Sequence, residues 1–257
     1  MSRMMTFSYD ITLNFDNPVT DHCFVLRCLP TDSPEQQVLD AALTLDPPVT
    51  FSHQQDSFGN RLQIGRIDGA HDHFHYRAEG TVLRDGTAFI FEPDRPLFRY
   101  PSAFTAPSPA LQAKAKELAL PCNLRDKAWA ILEAVQTHMR YVPGVTDVHT
   151  TAAQAFELGQ GVCQDYAHVY LTLARLLGLS ARYVSGLPEG EGASHAWCEV
   201  WLDGRWVGID PTRGRWVDEG YIRFCTGRDF SDCPMERGTF LGRANQCQTV
   251  FMQVREQ

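Results

Sequence analysis

Between Met5 and Asn17 apolar and polar positions alternate, and Phe7, Tyr9, Ile11, Leu13 and Phe15 fall on one side. A period of two predicts a strand with one buried face. His22 to Pro30 reads as a second strand, ended by Asp32-Ser33-Pro34. Further strands are expected over Val38–Leu45, Thr50–Gln55, Arg61–Ile67 and Phe74–Leu83, with Asp56 to Asn60 as a turn. Turn residues recur at short intervals and no helical period intervenes, so residues 1–100 predict an antiparallel β-sandwich. Prolines crowd 92–109, which reads as an extended linker, with 101–109 set between the two domains.

From Pro109 the period changes. A helix is expected from Leu124 to about Met139, carrying Trp129, Ile131, Leu132 and Val135, and a short one capped by Thr150 or Thr151 through Leu158. The next begins at Cys163. Val162, Tyr166, Val169, Tyr170, Leu173, Leu176 and Leu177 recur at three- and four-residue steps, and Gly178 sits at the expected left-handed cap. Strands follow over 181–186, 195–202 and 205–210. Those at Tyr221–Thr226 and Gln248–Val254 are expected to extend the same core sheet. The fold class is α+β: an antiparallel, sandwich-like N-terminal domain, then a core over 110–257 in which the Cys163 helix packs on an antiparallel sheet.

Chemistry enters with Cys163. In the first turn of a helix, unpaired amides and the positive end of the dipole favour thiolate over thiol. A nucleophile also needs a base. Asp203-Gly204 signals a two-residue hairpin, and this turn sets Leu202 opposite Arg205, Trp201 opposite Trp206 and Trp197 opposite Asp210. His195 and Asp210 then share a face as diagonal neighbours whose side chains can meet. Cys163 is thus expected to attack a carbonyl carbon, with His195 as proton carrier and Asp210 as its orienter.

Other residues near this chemistry carry weaker expectations. His168, about 140° around the helix from Cys163, should point away. Asp165 most simply offsets the helix dipole. At least two of Trp197, Trp201 and Trp206 are expected to pack on the Cys163 helix, with Trp197 also a candidate for substrate stacking. Glu189 and Glu191 lie in an acidic loop, 188–192, expected to be mobile and to border the cleft. The backbone N–H of Cys163 is the natural first oxyanion donor. His71, His73 and His75 could present imidazoles on one face. The simpler account turns Phe74, Tyr76 and Ala78 to the core and the histidines to water, so no metal is expected there.

Composition narrows the partners. The net charge of -8 and a pI near 5.5 argue against nucleic acid or an anionic membrane surface. The N-terminus lacks an apolar run of signal-peptide type, and no membrane span is read anywhere. Eight cysteines without regular spacing or paired knuckles read as reduced thiols, which with the missing signal places the protein in the cytoplasm. No cofactor is implied.

The runs GVCQDYAH at 161–168, SHAWCEVWL at 194–202 and GIDPT at 208–212 resemble the transglutaminase-like superfamily of cysteine proteases and acyltransferases. More closely they resemble its bacterial branch, which carries a β-rich domain before the core. RYVPGVTD at 140–147, ARYVSG at 181–186 and GRDFSD at 227–232 resemble that branch too. The resemblance implies a papain-like core with Cys163, His195 and Asp210 as nucleophile, base and orienter. It also implies an aromatic oxyanion donor upstream of the cysteine, for which Tyr141 is the candidate by position. The expected activity is acyl transfer from a peptide or protein amide through a thioester, resolved by water. A protein-glutamine transglutaminase and a catalytically silent interaction module are the alternatives. Oligomeric state is left open.

Overall fold

The structure is a computed structural model that describes residues 2–118 and 121–257. Its N-terminal half is built on β1 (Ser2–Leu26), β2 (Gln36–Asp46), β3 (Phe51–Gln55), β4 (Arg61–Ile67) and β5 (His71–Asp85). Helices α1 (Pro109–Glu117) and α2 (Leu124–His138) follow, then β6 (Arg140–Tyr141), α3 (Ala152–Leu158), β7 (Gln160–Gly161) and α4 (Cys163–Leu176). The remainder is strands: β8 (Ala181–Pro188), β9 (Gly190–Gly192), β10 (His195–Leu202) and β11 (Arg205–Asp210). Then come β12 (Arg215–Trp216), β13 (Tyr221–Gly227), β14 (Glu236–Leu241) and β15 (Gln246–Glu256). Among the described residues no helix is long and apolar enough to cross a membrane.

The two N-terminal strands expected from the alternation are one, β1, whose register shifts between Asn14 and Val19. Its first half lies between β5 and β15, and its second half pairs with β4 and β14. Phe24 from the second half packs on Phe74 opposite the first half, with ring centroids 4.9 Å apart. The antiparallel sheet therefore doubles back on itself. The odd residues from Met5 to Phe15 are buried between, as the alternation requires. The three histidines of β5 go to separate partners: His71 stacks on His22, His73 contacts Asp72, and His75 lies 3.0 Å from Asp10.

In the core, β12-β11-β10-β8-β13 form one antiparallel sheet, and α4 covers one face. Caps follow the sequence signals. Ser108 caps α1, Asn123 caps α2, and Thr151 forms a capping box with Gln154 on α3. The hairpin register is the one set by Asp203-Gly204, with Trp201 opposite Trp206 and Glu199 opposite Gly208.

Three expectations are corrected. The last strand, β15, does not extend the core sheet. With β14 it pairs to β1, so residues 236–256 close the N-terminal sheet although they follow the core in the chain. The tryptophans do not pack on α4. Ala196, Cys198, Val200 and Leu202 face it, with Cys198 Sγ 3.5 Å from the Ala167 carbonyl oxygen, and alternation sends Trp197 and Trp206 to the other side. The linker is packed rather than extended. Phe98, in a 3-10 turn at Pro96–Arg99, is buried against Trp206 at 5.3 Å. The guanidinium of Arg175 on α4 donates to the carbonyl oxygens of Phe98, Ala181 and Arg228 and to Thr105 Oγ1. A buried cation with that many acceptors fastens linker, helix and sheet together.

Candidate active site

Cys163 is placed by three local devices. Gly159 ends α3 in the left-handed conformation, with φ of 64°, and turns the chain toward the sheet. β7 then runs parallel to β6, and Val142 N–H donates to the Gly161 carbonyl oxygen at 3.0 Å. A Cβ on Gly161 would stand 2.4 Å from Asp165 Oδ2, so only glycine fits beside that carboxylate. Asp165 Oδ2 accepts from Val162 N–H and from Thr146 Oγ1, both at 2.7 Å. It thus satisfies an otherwise orphaned amide at the helix start, besides its favourable place on the dipole. Burial pushes its carboxyl up, and the Val162 amide and Thr146 hold it partly back. Cys163 occupies the first helical position, where its own amide has no acceptor within the helix.

His195 is the first residue of β10. Its Nε2 lies 2.7 Å from Asp210 Oδ2. That leaves Nδ1 free of Asp210, and Cys163 lies close enough to the ring to favour its charged form. Burial works against a charged imidazole here. The hydrogen bonds and charges of Asp210 and Cys163 prevail and hold it up at about 9. Asp210 is fully buried. Its Oδ1 accepts the amides of Thr212 and Arg213 at 2.9 and 3.0 Å, and its Oδ2 accepts the Tyr221 hydroxyl at 2.8 Å. Burial raises its carboxyl, but His195, the Arg213 amide and Tyr221 more than offset this and leave it below the usual range. The arrangement keeps a carboxylate ionised against an imidazolium beside Cys163.

Cys163 and His195 open onto a cavity of about 470 Å³, lined also by Tyr9, Tyr183, Phe230 and Glu236. Tyr9 belongs to β1 and Glu236 to β14, so the N-terminal sheet supplies one wall.

Not every expected residue reaches this cavity. Trp197 is buried on the far side of the sheet, where it packs edge-on against Tyr221 at 5.3 Å and stacks 6.3 Å from the His195 ring. It backs the histidine and does not face the cleft, because its side chain alternates away from α4. Glu189 and Glu191 are likewise off the cleft. β9 pairs with β15, Glu189 bridges Arg3 at 2.8 Å, and Glu191 accepts from Gln253 and Arg255 at 2.7 and 3.1 Å. The loop is a paired strand whose charges are matched. Tyr141 is opposite Gly161 in the short parallel ladder and half exposed. Burial first, then the nearby Cys163 charge, raise its hydroxyl. It sits beside the thiol but outside the cavity lining. His168 is sealed between Phe104 and Tyr183, and burial pushes it down to about 4.

Two residues of the site were not legible beforehand. Tyr221 was read only as the start of a strand, and its hydroxyl on Asp210 depends on β13 lying beside β8. Glu236 lay in no motif, and only the return of β14 to β1 brings it to the cavity.

A cysteine-bearing helix laid on an antiparallel sheet, its first residue facing a strand histidine, defines the papain-like class of α+β fold. Residues 112–211 match the transglutaminase-like superfamily core, and residues 5–83 match the bacterial transglutaminase-like N-terminal region. The chain thus carries a transglutaminase-like superfamily core preceded by a bacterial transglutaminase-like N-terminal region. An uncharacterized protein of Mycobacterium leprae is 35% identical over 153 residues, 56% of this chain and 54% of its own length. The chain thus spans about half of that relative. An uncharacterized protein of Mycobacterium tuberculosis is 28% identical over 81% of this chain and 78% of its own. The crystal structure of a candidate cysteine protease from Cytophaga hutchinsonii superposes with a TM-score of 0.83 at 24% identity, covering 100% of this chain and 91% of that one. It is similar in fold.

Proposed function

We propose that the protein is a thiol-dependent acyl-transfer enzyme that breaks peptide or amide bonds through a Cys163 thioester, with water as the main acceptor. The observation that carries this is the placement of His195 between Cys163 and the buried Asp210.

In the resting pair His195 holds the thiol proton as an imidazolium. The Cys163 sulfur attacks the substrate carbonyl carbon, and the oxyanion that forms is met by the Cys163 amide, with the Tyr141 hydroxyl as second donor. His195 then gives its proton to the leaving amine as the C–N bond breaks. In the second half, His195 takes a proton from water, hydroxide adds to the thioester, and the thiolate leaves. Asp210 keeps the ring oriented throughout, and Tyr221 keeps Asp210 in place.

Water at about 55 M outcompetes an amine unless the enzyme positions the amine beside the acyl group. The substrate is a peptide or protein segment that fits the cavity beside Cys163. Eight free cysteines suit a reducing compartment, and the cytoplasm is the proposed location. The test partitions the products of a glutamine-bearing or peptide-amide donor, with and without millimolar primary amine. Free acid as main product, lost in Cys163→Ala, supports hydrolysis. Dominant amine incorporation makes the protein a transglutaminase in activity, and no thioester from any donor removes the enzymatic reading.

A further inference from the structure

We infer that Glu236 is a specificity carboxylate that receives a cationic group, an alkylammonium or guanidinium, from the substrate held at Cys163. This rests on the reading of that cleft as the acyl-transfer site.

Glu236 lines the same cavity as Cys163 and His195. It also lines a neighbouring hollow of about 220 Å³ with Phe104, His149 and Ser231, so it stands where the two meet. Its Oε2 accepts the Tyr76 hydroxyl at 3.1 Å and Gln248 Nε2 at 3.3 Å. Both partners are neutral. Among the described residues Glu236 has no ion pair, whereas Glu189, Glu191 and Glu199 each have an arginine.

The charged and titratable groups around it do not supply the missing cation: His149, across the smaller hollow, makes no ion pair or hydrogen bond with it among the described residues. Arg237, next on the strand, donates to the Ser231 carbonyl oxygen. His195 is committed to Asp210. Burial, then neighbouring His71, push His22 down to about 4, which leaves it neutral. Tyr9 and Tyr76 are buried phenols held well above neutrality. Burial accordingly pushes the Glu236 carboxyl up to about 7, only partly opposed by Tyr76. A half-buried carboxylate without a counter-ion, on the wall of a cleft, is an acceptor waiting for a charge-assisted hydrogen bond. The cation has two sources: a basic side chain of the acyl donor or the amine that accepts the acyl group.

The test labels the thiol and needs no turnover. Alkyl methanethiosulfonates bearing an ammonium, a neutral end or a sulfonate, at two-carbon and six-carbon length, react with the protein at pH 8. Modification of each cysteine is followed by peptide mass spectrometry. Exposed Cys122 reports the attraction due to net charge alone. At Cys163 the ammonium reagent of at least one length should react about tenfold faster than its neutral counterpart after correction by Cys122. That advantage should disappear in Glu236→Gln, which keeps the acceptor for Tyr76. It should also fall in the native protein between pH 8 and pH 6, a comparison that survives a variant that does not fold. Equal rates for ammonium and neutral reagents, or a preference that persists in Glu236→Gln, would overturn the assignment. Protection by N-acetyl-lysine methylamide alone points to a donor side chain, and equal protection by n-butylamine points to the acceptor amine. A labelling preference with no turnover of any donor would leave this site standing and remove the enzymatic reading instead.

Discussion

The two faces of the β10–β11 hairpin do different work. Toward α4 it presents Ala196, Cys198, Val200 and Leu202, all buried and apolar. Toward the other side it presents His195, Trp197, Glu199 and Trp206, with Arg182 of β8 opposite Glu199. Arg182 lies 2.6 Å from Glu199, Arg223 lies 3.4 Å from it, and the Arg182 guanidinium sits 4.4 Å over the Trp206 ring. The first face fixes where the sheet lies, and the second fixes how its polar groups point. Cys163 comes from the helix on the first side, whereas His195 comes from the second. They meet because His195 is the first residue of its strand, where no further side chain separates the faces.

The comparison breaks most visibly at His195. In His195→Ala, kcat/KM on any cleaved donor should fall by about 10³-fold or more, with the unfolding midpoint little changed at pH 9.5. Comparable rates for variant and native protein would remove the histidine from the proposed chemistry.

Glu199 tests whether the far face also carries stability. Its carboxyl stays below the usual range because Arg182 and Arg223 overcome its burial. Glu199→Ala should destabilise by about 3–5 kcal/mol in urea titrations, because two guanidiniums lose their buried partner. Leu202→Ala, on the α4 face, should cost about 2–5 kcal/mol by leaving a cavity, with kcat/KM of the remaining folded protein unchanged. A rate loss in Leu202→Ala would blur the division.

The pH dependence sharpens the contrast further. The imidazole of His195 is raised in the folded state, so its stabilising effect is fully present below about 6.5 and disappears as pH rises through about 9. The loss is on the order of 3 kcal/mol. It should show as a falling unfolding midpoint between pH 7 and 10 that is absent in His195→Gln. Activity should decline over the same alkaline limb as the proton for the leaving amine is lost. Asp210, held low, acts in the opposite sense, and its contribution is lost as pH falls through and below the ordinary carboxylate range.

Tyr221→Phe should have a smaller effect. Removing the hydroxyl from Asp210 should lower kcat about tenfold and move the alkaline limb upward, since a less satisfied carboxylate draws more on the imidazolium. A kcat loss with an unmoved pH profile would mean a merely structural hydroxyl. Smallest of all, Glu189→Gln and Glu191→Gln should leave kcat/KM within about twofold, because both carboxylates are spent on surface pairs away from the cleft. A larger change would return that loop to the substrate path.

Much of the site could be read from the chain because it is local. A period of two and the Asp203-Gly204 turn suffice to put His195 and Asp210 on one face, since an antiparallel register is set within a few residues of its turn. Glycines, caps and helical spacing likewise suffice to put Cys163 at a helix start. Which face α4 would cover was not local. Both faces of β10 carry buried apolar or aromatic side chains, Trp197 on one and Ala196, Cys198, Val200 and Leu202 on the other, and the helix packs over the smaller ones, which let it approach closely. The long-range pairings were less legible still. Phe7 meets Val254 and Leu26 meets Glu236 across more than two hundred residues, and alternation alone does not say which edge a strand will join. Loop-closure entropy rises only slowly with length, so the chain could bring β14 and β15 back from its far end to close the first sheet. That return, decided by tertiary packing, pairs off Glu191 and sets Glu236 on the cavity wall.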